Sequence, residues 1–340
     1  MAGRGGVPAT GAGAVALNVT ATESAGGGYV TVWPCGAPRP GTSTLNLERP
    51  GHTVANLAIV GVGGAGTVCL FTSTGTHLIA DVTGWSATGS GLSTVQPSRL
   101  LETRPAAGQV AWAGTKPAAN QLVQVPVAGR GGVPANGAGA VVVNVTATEA
   151  AGGGFVTVWP CGSPRPATST LNLERAGHTV ANLAVVGIGI EGRICLTSST
   201  GVHLIADVTA WSPTGSGLAT VQPARLLETR AAAGNLGYAG AKPEAGQVVQ
   251  LQVTGRGGIP ASGAGTVALN ITATEAAGAG YVTVWPCGVA PPGTSTLNLE
   301  QAGSTVANLA VVGLGTGGTV CLWASAGTHL MADVTAWAAA

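Results

Sequence analysis

The sequence YVTVWPCG at residues 29–36 recurs as FVTVWPCG at 155–162 and as YVTVWPCG at 281–288, each copy 126 residues after the last. Within it, Val30 and Val32 alternate with Tyr29, Thr31 and Trp33. An alternation of period two predicts a β-strand with one buried face. The stretch therefore indicates one strand of a module that the chain carries three times.

The rest of the repeat has the same period. Segment 54–60 is apolar on both faces apart from Asn56, which is typical of a central strand in a sandwich. Each 43-residue connector between the repeated cores carries RLLETR and a further alternating run, so it supplies two more strands. In the first copy, we expect six strands near residues 15–21, 29–33, 44–48, 54–60, 67–71 and 77–82.

A complete unit thus has about eight strands, and the sequence predicts an all-β protein of tandem antiparallel β-sandwiches with jelly-roll-like character. The expected domains are module 1 (1–92, lacking the first two strands of the unit), module 2 (93–218) and module 3 (219–340). Each is long enough to bury its own core, which suggests successive lobes. A β-propeller is the alternative, but a propeller must close its ring and the first copy is incomplete.

The six cysteines form three pairs with the same spacing, one pair in each copy. One disulfide per module is the simplest connectivity, and it implies an oxidising compartment. No CxxC or clustered His accompanies the cysteines, so no metal site is expected. The predicted disulfides are Cys35–Cys69, Cys161–Cys195 and Cys287–Cys321.

The composition argues against nucleic acid and the membrane interior as partners. Only 8% of residues are charged and the net charge is +1, which argues against nucleic acid. Gly, Thr and Asn interrupt every apolar run, so no membrane insertion is expected. The Thr-, Ser- and Gly-rich surface is typical of secreted or cell-surface proteins, although no signal peptide is present in this sequence.

The motifs RLLETR, GRGGVP, NVTATE, VTVWPCG, TSTLNLE, HTVAN and HLIADVTAW together resemble a repeat found in secreted and cell-surface proteins of actinobacteria. Its copies run from an RLLDTR-like start to an HLIVDV-like end. Here Glu102 and Glu228 replace the usual Asp of that family, and Trp85, Trp211 and Trp337 stand where it more often has an aromatic pair. The resemblance implies export and an envelope role, often beside hydrolase domains, and it implies no catalytic activity.

Several recurring polar residues are candidates for catalysis. His77 and Asp81 share a strand face, but no nucleophile motif accompanies them, which favours a structural pair in which Asp81 meets an arginine such as Arg4 or Arg104. His52 and His178 become Ser304 in the third copy and are predicted to be exposed turn residues. The glutamates after the VTAT and LNL strands are interpreted as structural or solvated. No catalytic residue, metal or cofactor is predicted.

Aromatic residues are the best binding candidates, because sugar rings stack on an aromatic face bordered by hydroxyl groups. The competing interpretation buries the tryptophans beside the disulfides. The candidate glycan-binding residues are Tyr29, Trp33, Phe155, Trp159, Tyr281 and Trp285.

These patterns favour a non-enzymatic extracellular structural or assembly protein, such as a subunit of a surface fibre, stalk or scaffold. Its expected partners are further copies of itself or other envelope proteins. The alternative is a lectin-like protein that binds cell-wall glycan through the combined avidity of three sites.

Overall fold

The computed structural model describes all 340 residues, and the chain is all-β, with 22 strands and four short 3₁₀ turns. Module 1 contains β1 (Ala12–Thr22), β2 (Gly28–Pro34), β3 (Leu45–Leu47), β4 (Val54–Gly61), β5 (Val68–Thr72) and β6 (His77–Ala87). Module 2 contains β7 (Ser93–Glu102), β8 (Val123–Pro126), β9 (Ala138–Thr148), β10 (Gly154–Pro160), β11 (Leu171–Leu173), β12 (Val180–Gly187), β13 (Arg193–Ser198) and β14 (His203–Pro213). Module 3 contains β15 (Leu218–Glu228), β16 (Val248–Gln252), β17 (Ala264–Thr274), β18 (Gly280–Pro286), β19 (Leu297–Leu299), β20 (Val306–Gly313), β21 (Thr319–Ala324) and β22 (His329–Ala339).

The strands form two antiparallel sheets in each module. The sheet nearer the centre of the molecule, the axial sheet, has the order β4-β1-β6 in module 1, β12-β9-β14-β7 in module 2 and β20-β17-β22-β15 in module 3. The other sheet, the outer sheet, has the order β3-β2-β5, β11-β10-β13-β8 and β19-β18-β21-β16. The connectors supply β7, β8, β15 and β16, as the sequence predicted.

The two sheets of a module pack face to face, because alternate residues of each strand point between them. The resulting core holds 23 buried apolar residues in module 2 and 22 in module 3, but 11 in module 1. The all-β sandwich prediction is therefore confirmed. The smaller core of module 1 reflects the two strands that this module lacks.

The three modules close into a ring, which the expectation of successive lobes did not foresee. The outward faces of the axial sheets meet in a common cluster about a pseudo-threefold axis, formed by Ala16, Leu57, Ile59, Val142, Leu183, Val185, Ala210, Ala268, Leu309 and Ala336. The six small sheets thus surround one axis, a propeller-like feature. The incomplete first copy argued against closure, but the missing strands belong to the edge of the sheet opposite β4, so they do not interrupt the ring.

Strand β4 explains the pattern of segment 54–60. It lies at the edge of its sheet, next to β1, so the prediction of a central strand was wrong. Ala58 and Val60 face the core of module 1, whereas Leu57 and Ile59 face the other two modules at the axis. Its second buried face is created by the neighbouring modules.

The disulfides pair as predicted. Each joins the residue that follows the second strand of the six-strand core to the neighbouring strand, as Cys35 after β2 joins Cys69 in β5. Cys161–Cys195 and Cys287–Cys321 repeat this arrangement, with Cα atoms 5.0 and 5.1 Å apart. Each bridge fastens two adjacent strands of an outer sheet.

Candidate functional site

A ring of asparagines holds the modules together at the axis. Asn56 of β4 donates from Nδ2 to Oδ1 of Asn144 at 2.8 Å, and its own Oδ1 accepts the backbone N–H of Leu183 at 3.2 Å. The same bonds link module 2 to module 3 through Asn182 and Asn270, and module 3 to module 1 through Asn308 and Asn18. All six asparagines are buried. Three equivalent sets of hydrogen bonds therefore close the ring.

A second ring, made of glutamates, lies at the end of the axis where β4, β12 and β20 begin. Glu48 accepts the backbone N–H of Thr179 at 2.5 Å and is paired with Arg175 in module 2. Glu300 likewise accepts from Thr53 at 2.7 Å and pairs with Arg49 at 2.5 Å in module 1. The remaining contact, from Glu174 to the backbone N–H of Thr305 at 2.6 Å, has no arginine from module 3 because Gln301 takes that position, and Arg175 of module 2 lies 3.9 Å from Glu174.

The histidines beside this ring are buried, so the prediction that His52 and His178 are exposed was wrong. His52 Nδ1 accepts the backbone N–H of Glu48 at 3.1 Å, and His178 Nδ1 accepts that of Glu174 at 3.0 Å. Burial lowers the pKa of both imidazoles from 6.5, although nearby glutamates oppose this shift. Ser304, the equivalent residue of module 3, is also buried, and its Oγ accepts the backbone N–H of Gln301 at 3.2 Å.

Together these residues line a polar depression of about 660 Å³ between the modules. Its carboxylates are already held by backbone N–H groups and arginines. The arrangement can therefore lock the three modules in register, and this role explains the glutamates after the LNL strands.

In modules 2 and 3 the His–Asp repeats belong to a different contact, between the sixth strand of the core and the RLLETR strand. Arg99 of β7 binds Asp207 of β14 through two hydrogen bonds, at 2.5 and 3.3 Å, and also pairs with Glu102 at 2.8 Å. Thr103 Oγ1 lies 3.0 Å from His203 Nδ1 and accepts the backbone N–H of Leu204 at 2.8 Å. These polar groups dock the connector strand.

Module 3 repeats this cluster. Arg225 binds Asp333 and Glu228, and Thr229 lies 3.0 Å from His329 Nδ1. Burial alone would raise the pKa of Glu228, but the hydrogen bonds and charge of Arg230 and Arg225 outweigh it and lower that pKa.

Module 1 differs, because Asp81 makes no salt bridge, and the expected contact with Arg4 or Arg104 was wrong. Arg104 instead pairs with Glu102 at 2.8 Å. Burial raises the pKa of Asp81, with no arginine to oppose it.

The six aromatic candidates divide into two sets. Trp159 and Trp285 are buried against the disulfides of their modules, and Trp33 is half-buried at the same position. Each indole N–H donates to a backbone carbonyl four residues further on. These indoles are therefore built into the modules.

The other three candidates, Tyr29, Phe155 and Tyr281, are exposed on the outer sheets. Tyr29 lies 6.1 Å from Phe71, and Tyr281 lies 5.4 Å from Trp323, measured between ring centroids. Glycan binding at these positions stays a prediction.

An apolar cavity of about 400 Å³ occupies the end of the axis opposite the glutamates. Leu92 and Leu218, which precede β7 and begin β15, line it together with Trp85 and Trp337. Sequence patterns gave no sign of this cavity, because its walls come from all three modules.

No cluster of three or more His, Cys, Asp or Glu side chains is arranged to hold a metal ion. The structure contains no helix with the length and apolar character needed to span a membrane.

Comparison with known proteins gives distant structural likenesses only. No protein-family model and no curated protein sequence matches the chain. One similar structure is described as the triple jelly roll fold and turret assembly in an archaeal virus (TM-score 0.21, 10% identity, 97% of this chain and 80% of that chain covered). Another is the atomic structure of Sulfolobus turreted icosahedral virus (TM-score 0.20, 11% identity, 96% and 80% covered). With TM-scores this low, neither likeness carries an argument about the function of this chain.

Proposed function

We propose that this chain is a non-enzymatic structural protein of the cell envelope or extracellular space, acting as a subunit of a surface fibre, stalk or scaffold. The observation that carries the proposal is the open edge of module 1, where β6 and β5 lack the strand neighbours that β14 and β13 have. An unpaired sheet edge is a template for pairing with another chain. Such an edge on an otherwise closed ring serves attachment.

The interior of the ring supports the same role. The polar groups are used to lock modules to one another or strands to sheets, and three disulfides stabilise the outer sheets. Disulfides of this kind persist in oxidising compartments, which supports a location outside the cell. A rigid, covalently fastened body with a vacant strand position beside β6 and β5 is suited to assembly.

Glycan binding is the second candidate, and the exposed aromatic rings favour it. Tyr29, Phe155 and Tyr281 occur once in each module, so a polymeric glycan could contact several of them at once. In module 1 the Arg39 guanidinium lies 3.8 Å from the centroid of the Phe71 ring, which adds a polar group beside the aromatic pair.

The two functions are separated by light scattering over a wide concentration range together with pull-downs. The structural role predicts that the purified protein self-associates or retains envelope proteins, while peptidoglycan and soluble oligosaccharides do not retain it. The proposal would be overturned by a protein that stays monomeric, captures no envelope protein and binds glycan. The glycan function further requires that Tyr29→Ala, Phe155→Ala and Tyr281→Ala together abolish that binding.

A further inference from the structure

The unpaired edge of module 1 matches, position by position, the docking site for an RLLETR strand in the other two modules. Ile205 of β14 pairs with Glu102, and Asp207 pairs with Arg99, in the antiparallel register of β7. The corresponding residues of β6, Ile79 and Asp81, pair with β1 on one side and have no strand on the other.

Burial reflects this difference. Leu204 and Ile205 are 0% and 6% exposed, whereas the equivalent Leu78 and Ile79 are 38% and 49% exposed. The two pairs have the same sequence, so the missing strand accounts for the exposure. Trp85, at 47%, is also uncovered on this edge.

The polar anchors are also present without their partners. Asp81 lacks the arginine that Asp207 and Asp333 bind. His77 is exposed, whereas His203 is buried beside Thr103. The edge thus presents a carboxylate, an imidazole and a free strand in the arrangement that an RLLETR segment fills elsewhere.

The apolar cavity supplies a third recognition point. Leu92 and Leu218 occupy equivalent positions and both line it. By the pseudo-threefold symmetry, a third leucine would enter from the strand missing at module 1. The walls left open include Trp85 and Gly84 of β6 and Val311 of module 3.

The turn before β1, compared with the equivalent turn before β9, also shows the space left by the missing strand. In module 2, a Cβ added at Gly131 would lie 3.2 Å from side-chain atoms of both Leu100 and Ser98. At the equivalent Gly5 only Val82 is near, at 3.4 Å. Space is therefore kept for a strand that this chain does not place there.

We propose that the open edge of module 1 binds a polypeptide segment of the GLxTVQPxRLLETR type, supplied from outside residues 1–340. The arginine equivalent to Arg99 binds Asp81, and the threonine equivalent to Thr103 contacts His77 and accepts the Leu78 N–H. The leucine equivalent to Leu92 fills the cavity at the axis. Where the bound polypeptide continues beyond this segment into a strand equivalent to β8, that strand pairs with β5, as β8 pairs with β13. This is strand addition, in which backbone hydrogen bonds give affinity and side-chain pockets give specificity.

The inference rests on the proposed structural function and names the partner that the edge recognises. A second copy of residues 1–340 has no RLLETR strand to donate, because both of its own are already bound within its modules. The donor is a separate segment of the same chemistry.

The test uses the full chain and a synthetic peptide with the sequence of residues 88–127. Calorimetry should show one equivalent of peptide bound, and hydrogen–deuterium exchange should show new protection of β6 and β5. Arg99→Ala or Leu92→Ala in the peptide should weaken binding about tenfold or more. Gln124→Ala is the matched control, since Gln124 contacts Arg193 in module 2, where module 1 has Thr67.

Asp81→Asn in the protein should weaken binding of the unmodified peptide to a similar degree. In this variant, Arg99→Ala in the peptide should have little further effect on binding. Such non-additivity identifies a direct pair. Equal, additive effects would mean that the peptide binds elsewhere. The inference would be overturned by peptide that protects no residue of β6, or by protein that dimerises through β6 and excludes the peptide.

A fusion avoids dependence on the peptide's solubility. Residues 88–126 placed ahead of Met1, which corresponds to Val127, should protect β6 and raise the Tm; a fusion that does neither contradicts the inference. Failure of both experiments leaves the structural function intact if light scattering still shows assembly through another surface.

Discussion

At the scale of single residues, the asparagines at the axis link each module to the next by hydrogen bonds. Asn56 combines a donor to Asn144 with an acceptor for the Leu183 N–H, so one side chain satisfies backbone and side-chain groups of the next module. A buried N–H left without an acceptor costs about 1–3 kcal/mol. Each asparagine therefore contributes more than its own hydrogen bonds.

We expect Asn56→Ala to lower the free energy of unfolding by about 2–3 kcal/mol, because it leaves the Leu183 N–H and the Asn144 Oδ1 without partners. Asn46→Ala is the matched control, since the Asn46 Nδ2 is buried without a partner already. Chemical denaturation followed by tryptophan fluorescence measures both. Equal losses for the two variants would show that the ring of asparagines is not the source of stability.

The buried histidines predict an acid sensitivity. Burial lowers the pKa of His52 and His178 from 6.5, so between 6.5 and the folded-state pKa the unfolded chain binds more protons. The stability from these groups is therefore fully present above 6.5 and is lost as the pH falls toward the folded-state pKa.

The double variant His52→Ser and His178→Ser, which gives modules 1 and 2 the serine that module 3 has at Ser304, should reduce the fall in Tm between about pH 7.5 and pH 5.5. His203, whose pKa burial also lowers, retains part of the effect. The acidic groups are common to both proteins and cancel in the comparison. An unchanged pH profile would exclude the two histidines as its cause.

At the scale of elements, strand identity followed from local patterns and strand position did not. The alternation at residues 29–33 predicted β2, and the cysteine spacing predicted its bridge, because both signals lie within one module. The two-sided apolar pattern of β4 was equally visible, but periodicity cannot distinguish a central strand from an edge strand covered by another module. Asn56, the single polar residue in that run, was the available signal for the axis.

The candidate site was predictable to the same extent. The structural nature of the His–Asp repeat could be inferred from the absence of a nucleophile motif. The arginine that binds Asp207 could not be inferred, because Arg99 lies 108 residues from Asp207 and no local pattern links them. Arg104 was an equally reasonable partner on sequence alone.

The disulfides should matter most where the core is smallest. Removing Cys35–Cys69 or Cys161–Cys195 by paired substitution to Ala opens a loop of the same length, with a cost of about 3–4 kcal/mol in the chain-entropy model. In module 1 we expect this loss to unfold β2 and β5 locally, because 11 buried residues support them and 23 support module 2.

Hydrogen–deuterium exchange tests this expectation. The Cys35→Ala, Cys69→Ala variant should lose protection in β2 and β5, while the Cys161→Ala, Cys195→Ala variant retains protection in β10 and β13. Equal loss in both modules would contradict the link between core size and local stability.

At the scale of the whole molecule, three similar modules share one apolar centre. Leu183, Val185 and Val142 of module 2 are buried only because modules 1 and 3 cover them. An isolated module would expose this face to water, at a cost that scales with the apolar area.

We therefore expect residues 93–218, expressed alone under oxidising conditions, to associate into trimers that reproduce the ring with three complete modules. Size-exclusion chromatography with light scattering measures the mass. Leu183→Asp should give monomers, because a charge on the axial face cannot be buried unpaired. A wild-type module that is monomeric and stable would show that the axial contacts are dispensable.

The unequal ring also fixes how many neighbours it can take by this route. Two of its three pseudo-equivalent positions are filled by β7 and β15, and the third, beside β6, is filled by no strand of residues 1–340. Residues 1–340 are therefore monovalent by this route, and titration with a donor peptide should stop at a stoichiometry of one. By this joint residues 1–340 receive one strand and give none, so the contact is directional, with the acceptor on this side and the donor on the other.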